Sequence, residues 1–256
     1  MTEQKRQSMQ KKQNTRRSLA DSVRRIYGAG MFVNAGFIIG FDSEKSAVAD
    51  GMIDCIEATA IPMCMVGLLY ALPTTQFTRR LAREGRLFPP SYAMRLAEAE
   101  GAGDQCTTGL NFVTARPRRD VLDDYRRVLE RIYRPGAFYA RVRAVARSLD
   151  RPTLDRSADR DPPVRRLMGV PLRDLGRLAG LVRRIAMRQP DALWSFARAL
   201  WDCARTNPRA LDCVFMLAAF FLHLGPFSRF VIASIDRQIA ELDAGTWQTP
   251  HRLAAE

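Results

Sequence analysis

The stretch Met31-Phe-Val-Asn-Ala-Gly-Phe-Ile-Ile-Gly-Phe-Asp-Ser-Glu44 constrains the fold more than any other part of the chain. From Phe32 to Phe41 it carries no charge, the pattern of a parallel strand covered on both faces rather than of a strand with one wet side. Strand side chains alternate, so Gly36, Ile38 and Gly40 point one way and Phe37, Ile39 and Phe41 the other. The large residues are expected to pack beneath helices. The glycines leave space, and a glycine inside a strand marks the close approach of a ligand or of another backbone.

The flanking segments extend this pattern. Leu19, Val23 and Ile26 recur at i, i+4 and i+7 behind a capping Ser18, and Gly28 with Gly30 ends that helix. Beyond the acidic turn Asp42-Ser43-Glu44, Val48, Met52 and Ile56 form one face of a second amphipathic helix, stopped by Ile61-Pro62. Met63 to Leu72 is a second continuous apolar strand, after which Pro73-Thr74-Thr75 opens a third helix ending at Gly85. This α-β-α-β-α order is that of a parallel α/β architecture. Two parallel strands alone would leave both outer edges unpaired and too small an apolar face, so further strands are expected from elsewhere. Ligands in such folds sit beyond the carboxyl ends of the strands, here Gly40 to Glu44 and Tyr70 to Thr75.

The net charge of +13 over 256 residues invites a nucleic-acid reading. Of the 40 basic residues, however, only Lys5, Lys11, Lys12 and Lys45 are lysines, and the arginines are spread in ones and twos from Arg6 to Arg252. No block alternates arginine with exposed aromatics as a single-strand platform does, so nucleic acid is not the expected partner. Cys55, Cys64, Cys106, Cys203 and Cys213 are odd in number and contain no C-x-x-C pair, which predicts reduced thiols in a cytoplasmic protein. The two histidines, His223 and His251, are too few for a histidine-rich metal site, and His223 is expected in a helix core or interface.

Three segments together identify a family resemblance. Gly36-Phe-Ile-Ile-Gly40-Phe-Asp-Ser-Glu44, Val66-Gly-Leu-Leu-Tyr-Ala-Leu-Pro-Thr-Thr75 and Arg79-Arg-Leu-Ala-Arg-Glu-Gly-Arg-Leu87 resemble the end of a radical S-adenosylmethionine barrel. The group they resemble carries an amino-terminal cobalamin-binding domain and a helical carboxy-terminal extension, and includes hopanoid-biosynthesis enzymes. The fold this implies is an α/β fragment, the last βα units of a partial TIM-type barrel, followed by a mainly α-helical domain. The Gly-x-Ile-x-Gly strand of that family contacts the adenine of S-adenosylmethionine, which implies Gly36, Ile38 and Gly40 as cofactor-binding residues, with Asp42 and Glu44 beside them. Tyr70, Pro73, Thr74 and Asn111 are the implied substrate-side residues. The family's acidic residue falls on Ser43 with Glu44 one later, and its usual Pro-Gly-Thr is Pro73-Thr74-Thr75 here. The intact family uses S-adenosylmethionine, a [4Fe–4S] cluster and cobalamin. This chain shows neither the C-x-x-x-C-x-x-C cluster loop nor a cobalamin motif, so it is expected to ligate no metal, to make only partial S-adenosylmethionine contacts, and to be inactive alone.

The rest of the chain is helical. Residues 1–16 read as a mobile basic tail, 17–88 as the end of the barrel, 89–149 as a crossover with a helical extension, 150–171 as a charged, proline-rich linker and 172–256 as a helical region. Within the crossover, Tyr92 to Glu100 is expected to form a short helix. Val121, Tyr125, Val128, Leu129 and Ile132 give the helix from Arg118 to Tyr133 an apolar packing stripe. Leu172 to Arg188 is a basic amphipathic helix, of the kind that lies on an anionic membrane or simply presents a solvated arginine face. Leu211 to Leu224 is expected to end at Gly225-Pro226, too short for a bilayer crossing. Two functions follow. The first is the carboxy-terminal part of a cobalamin-dependent radical S-adenosylmethionine enzyme acting on a lipid or other apolar substrate, partnered by the missing barrel and cobalamin domain. The alternative is a non-enzymatic helical module that binds a partner protein or an anionic membrane surface.

Overall fold

A computed structural model describes residues 18–89, 106–107, 109–149 and 172–248. The expected tail over 1–16, linker over 150–171 and short helix from Tyr92 to Glu100 lie outside the described residues. The first third has the expected element order: α1 (Leu19–Gly28), β1 (Asn34–Ile39), α2 (Val48–Thr59), β2 (Met63–Leu68) and α3 (Gln76–Arg83). The strands pair in parallel, Phe37 opposite Val66 and Ile39 opposite Leu68. Ser18 precedes α1, but its side chain accepts no capping bond; its carbonyl takes the Ser22 amide instead.

Both strands are shorter than their apolar runs. The Leu69 amide still donates to Ile39 O at 2.8 Å, but Leu69 O accepts from Leu110 N at 2.8 Å, and the Asn111 side chain then binds both backbone groups of Ala71. The second run therefore leaves β2 for an irregular junction with the segment around Leu110. One face of the sheet is covered as expected. Ile39, Cys64, Val66 and Leu68 are buried in a core shared with Val23, Tyr27, Ala49 and Ile56 from α1 and α2. The opposite face is open, with Ile38 44% and Met65 78% exposed.

The two edges of this sheet differ. Because Leu69 N–H faces β1 and strand backbone groups alternate in direction, the backbone of Cys64 and Val66 faces away from β1. Helix α4 (Arg118–Tyr133) closes that edge. The Tyr125 hydroxyl donates to Val66 O at 3.1 Å, the Tyr133 hydroxyl donates to Cys64 O, and Arg141 from α5 (Pro135–Ser148) donates from Nε to Ile61 O at 2.9 Å. Side-chain donors thus stand where a further strand's amides would be, and the outward carbonyls of Cys64 and Val66 are satisfied without one. By the same alternation the backbone of Gly36 and Ile38 faces the other edge of β1, and among the described residues no strand pairs there. Among the described residues it is the β1 edge that is left without a covering element.

The helical part is α4, α5, α6 (Leu172–Arg188), α7 (Leu193–Thr206) and α8 (Leu211–Asp243). The expected stop at Gly225-Pro226 is not there: α8 runs 33 residues through Pro226. An interior proline removes one backbone donor and crowds the preceding turn. Here the buried Gln189 carboxamide packs against that turn, its Nε2 donating to Phe221 O at 3.0 Å, and a Cβ at Gly225 would lie 2.7 Å from its Oε1. Glycine makes room for the glutamine, and burial of Val214, Leu217 and Phe221 before the proline and of Val231 and Ile235 after it holds both halves on the same core. The merged helix, with its lead-in from Pro208, has the length and composition to cross a membrane, so shortness no longer argues against one; 39% of its most apolar window is buried inside the molecule. His223, expected in a helix core or an interface, is not in the core: it is exposed and stacks on Phe227 with ring centroids 6.0 Å apart.

Tyr125→Phe keeps the ring and removes the hydroxyl that satisfies the Val66 carbonyl. It is expected to cost about 1–3 kcal/mol, seen as a lower urea midpoint with unchanged slope. Tyr139 is the internal control: its buried hydroxyl has no hydrogen-bond partner, so Tyr139→Phe is expected to leave stability unchanged or raise it. Equal losses in the two variants would contradict edge-sealing by Tyr125.

Candidate functional site

The carboxyl end of β1 separates the five residues expected at a nucleoside. Gly36 and Ile38 stay together on the open face with Met65, and a Cβ built on Gly36 would meet nothing within 4 Å. Gly40 has left the strand. Its φ is +118°, and a Cβ there would lie 2.7 Å from Leu110 Cδ2, so the glycine is required by backbone conformation and by packing. Its amide donates to Glu44 Oε2 at 2.9 Å, and Glu44 is buried. In this arrangement Gly40 and Glu44 form a closed turn that supports the end of the strand.

Asp42 is held by two arginines. Arg86 binds it in two-pronged fashion, Nη2 to Oδ1 at 2.7 Å and Nη1 to Oδ2 at 3.0 Å, and Arg80 Nη2 reaches Oδ2 at 2.6 Å. The hydrogen-bonding Arg86 guanidinium holds the Asp42 carboxyl below the usual carboxylate range. Arg86 also donates to Val113 O at 2.8 Å. This cluster ties the β1 exit to α3 and to the segment after Leu110. Sequence reasoning missed Arg80, Arg86 and Leu110 as partners, because separations of 38 to 70 residues leave no local signal.

The substrate-side candidates spread along the β2 exit. Tyr70 is half-buried, while Pro73 and Thr74 are exposed. Thr74 has φ +66°, a left-handed conformation that favours glycine and is unusual for a β-branched residue; this is the position where the Pro-Gly-Thr pattern has its glycine. Thr75 Oγ1 then caps α3 by accepting from Thr78 N at 3.2 Å. Asn111 is committed to backbone, accepting from Ala71 N at 2.8 Å and donating to Ala71 O at 3.2 Å.

Among the described residues no three His, Cys, Asp or Glu side chains converge as metal ligands would. Burial pushes the Cys64 thiol up to about 12 and Cys203 to about 11, so neither supplies a thiolate near neutral pH. A cleft of about 550 Å³ opens beyond Val113, between the start of α4 and the end of α8. Arg118 lies over the Trp247 ring there at 5.2 Å, Arg119 pairs with Asp243 at 2.7 Å, and Arg116 pairs with Asp124 at 2.8 Å. Its charged walls are matched within the chain.

Asp42→Asn is expected to lower stability by about 1–2 kcal/mol at neutral pH. A carboxyl whose pKa is depressed by folding contributes fully above its unfolded pKa of about 4 and loses the contribution as pH falls through the folded value. The gap between parent and variant in urea unfolding should therefore be constant near neutrality and close below about pH 4. A gap independent of pH would contradict the arginine-paired state.

Residues 75–237 match the family model described as Domain of unknown function (DUF4070). An uncharacterized methyltransferase of Synechocystis sp. is 33% identical over 229 residues, 90% of this chain and 39% of that protein. A hopanoid C-2 methylase of Rhodopseudomonas palustris is 36% identical over 80 residues, 31% of this chain and 15% of that protein. The chain thus spans about two fifths of the first relative's length and less of the second's. No solved structure matches it significantly.

Proposed function

The chain belongs to the family of Domain of unknown function (DUF4070), and we propose that it forms the carboxy-terminal part of a cobalamin-dependent radical S-adenosylmethionine methyltransferase acting on a lipid or other apolar substrate. The names of its relatives, a methyltransferase and a hopanoid methylase, agree with the resemblance drawn from Gly36 to Glu44, Val66 to Thr75 and Arg79 to Leu87. The observation that carries the reading is the asymmetry of the sheet: β2 is sealed by Tyr125 and Tyr133, while β1 is open at its edge and on its Gly36/Ile38/Met65 face. In this reading β1 and β2 are the last strands of a partial TIM-type barrel. Earlier strands, from the same or a separate polypeptide that also brings the cobalamin domain, pair with β1, and the open face becomes the barrel interior.

The residues present fit one of the implied groups. An adenine ring needs a flat apolar wall without a Cβ standing in its way, and Gly36 beside exposed Ile38 provides that. S-adenosylmethionine, when bound, supplies the radical and methyl chemistry. Gly36 and Ile38 would seat its base, Gly40 and Glu44 would keep the strand end rigid beneath it, and the Asp42–Arg86 cluster would fix the rim. Tyr70, at the β2 exit, faces the substrate side in this reading. The described residues do not offer a ligand set for a cluster, since no three His, Cys, Asp or Glu side chains converge among them.

Because a Cβ at position 36 meets nothing within 4 Å in this chain, Gly36→Val should fold normally yet occupy the adenine's space. In the complete barrel, equilibrium dialysis is expected to show S-adenosylmethionine binding weakened tenfold or more, a loss of about 1.4 kcal/mol, with little change in urea midpoint. Unaltered affinity in a folded complex would remove the assignment.

A further inference from the structure

We propose that α7 docks the protein on an anionic membrane surface through Trp194, Arg198, Trp201 and Arg205. These four residues recur at i, i+4, i+7 and i+11, one stripe of an α-helix, and all four are exposed. Trp194 is 78% and Trp201 66% exposed, although tryptophan is highly buried on average. The opposite side of α7 carries the packing: Phe196, Ala199 and Cys203 are buried, with Phe196 against Tyr139 of α5 at 5.8 Å. The helix does not need the two indoles for its own core.

Charge selects the occupant. Asp202 lies within the same two turns, but its carboxylate is turned onto α5, 2.6 Å from Arg147 and 3.5 Å from Arg143. The stripe therefore presents cations without a competing acid, and Asp191 is the exposed carboxylate in the turn before α7. The Arg205 guanidinium sits 5.5 Å over the Trp201 ring, so an indole and a charge are presented together. Indoles partition to the headgroup level of a bilayer, where an apolar body and an N–H donor are both accommodated, while arginine stems extend toward phosphates. A second copy meeting the same stripe would set Arg198 and Arg205 against their own counterparts. A convex helix face offers no groove to track a nucleic-acid strand. Anionic lipid satisfies both the charge and the aromatic pair.

The test uses the whole chain with phosphatidylcholine vesicles, with and without phosphatidylglycerol. Trp194 and Trp201 are two of three tryptophans, so Trp247→Phe isolates their emission, and co-sedimentation of the unaltered protein provides a readout that does not depend on that substitution. The expected result is co-sedimentation and a blue shift with phosphatidylglycerol vesicles alone, both reversed by salt. Arg198→Gln and Arg205→Gln should each weaken vesicle binding about fivefold with unchanged far-ultraviolet circular dichroism. The proposal is overturned by no shift and no sedimentation, by equal binding to both vesicle types, by a shift produced by single-stranded RNA but not by vesicles, or by a concentration-dependent dimer that Trp201→Ala dissolves.

Discussion

The hydroxyls of Tyr125 and Tyr133 on the outer carbonyls of β2 determine what the rest of this structure can be part of. A parallel sheet of two strands ordinarily has two growth edges, and an unpaired edge is both a cost and a template for pairing with other chains. Here one edge is terminated by side chains of α4, reinforced by Arg141 on Ile61 O. The helix that terminates the sheet also packs against α2 and α8, so the end of the sheet and the start of the helical region form one continuous core. The first helix of the expected helical extension supplies the wall of the sheet. Among the described residues, what remains open is the β1 edge, with its unpaired backbone groups, and beside it the apolar Gly36/Ile38/Met65 face.

The strand exits show a division of labour between rigidity and access. Glu44 closes on the Gly40 amide, Arg86 and Arg80 close on Asp42, and Asn111 closes on Ala71. Each is a polar group committed to the chain's own backbone or to an opposite charge. They hold the loops at the carboxyl ends in one arrangement, and the positions left uncommitted are the glycine and isoleucine one layer below. A site built this way would discriminate by shape at the strand and by framework at the rim. The left-handed Thr74 stores backbone strain at the β2 exit, of about 1 kcal/mol.

Much of this was legible in the sequence, and the boundary of what was legible is physical. Apolar runs and helical periodicity are local, so the α-β-α-β-α order, the helix from Arg118 to Tyr133 and the basic helix from Leu172 to Arg188 were all readable and agree with the structure. Alternation correctly placed Ile39 under helices and Gly36 with Ile38 on the free face. It failed at Gly40, because the strand ends at Ile39 and a positive φ carries the next residue away. Pro226 read as a helix end because what holds the helix together across it, the burial of both halves on one core and Gln189 packed against the preceding turn, is tertiary and leaves no local signal. Tyr125 read as part of a packing stripe, which it is. That its hydroxyl also terminates a sheet depends on a carbonyl 59 residues away, and no periodicity encodes that.

Residue-resolved amide hydrogen exchange tests the central claim most directly, comparing this chain alone with the same chain after addition of a polypeptide carrying the preceding barrel strands. In the chain alone, Phe37 and Ile39, whose backbone faces β2, should exchange slowly, and Gly36 and Ile38, whose backbone faces the open edge, should exchange fast. On addition, the account predicts that Gly36 and Ile38 slow markedly while Cys64 and Val66 do not change. Slowing confined to Cys64 and Val66, or protection of Gly36 and Ile38 already present in the monomeric chain alone, would contradict it.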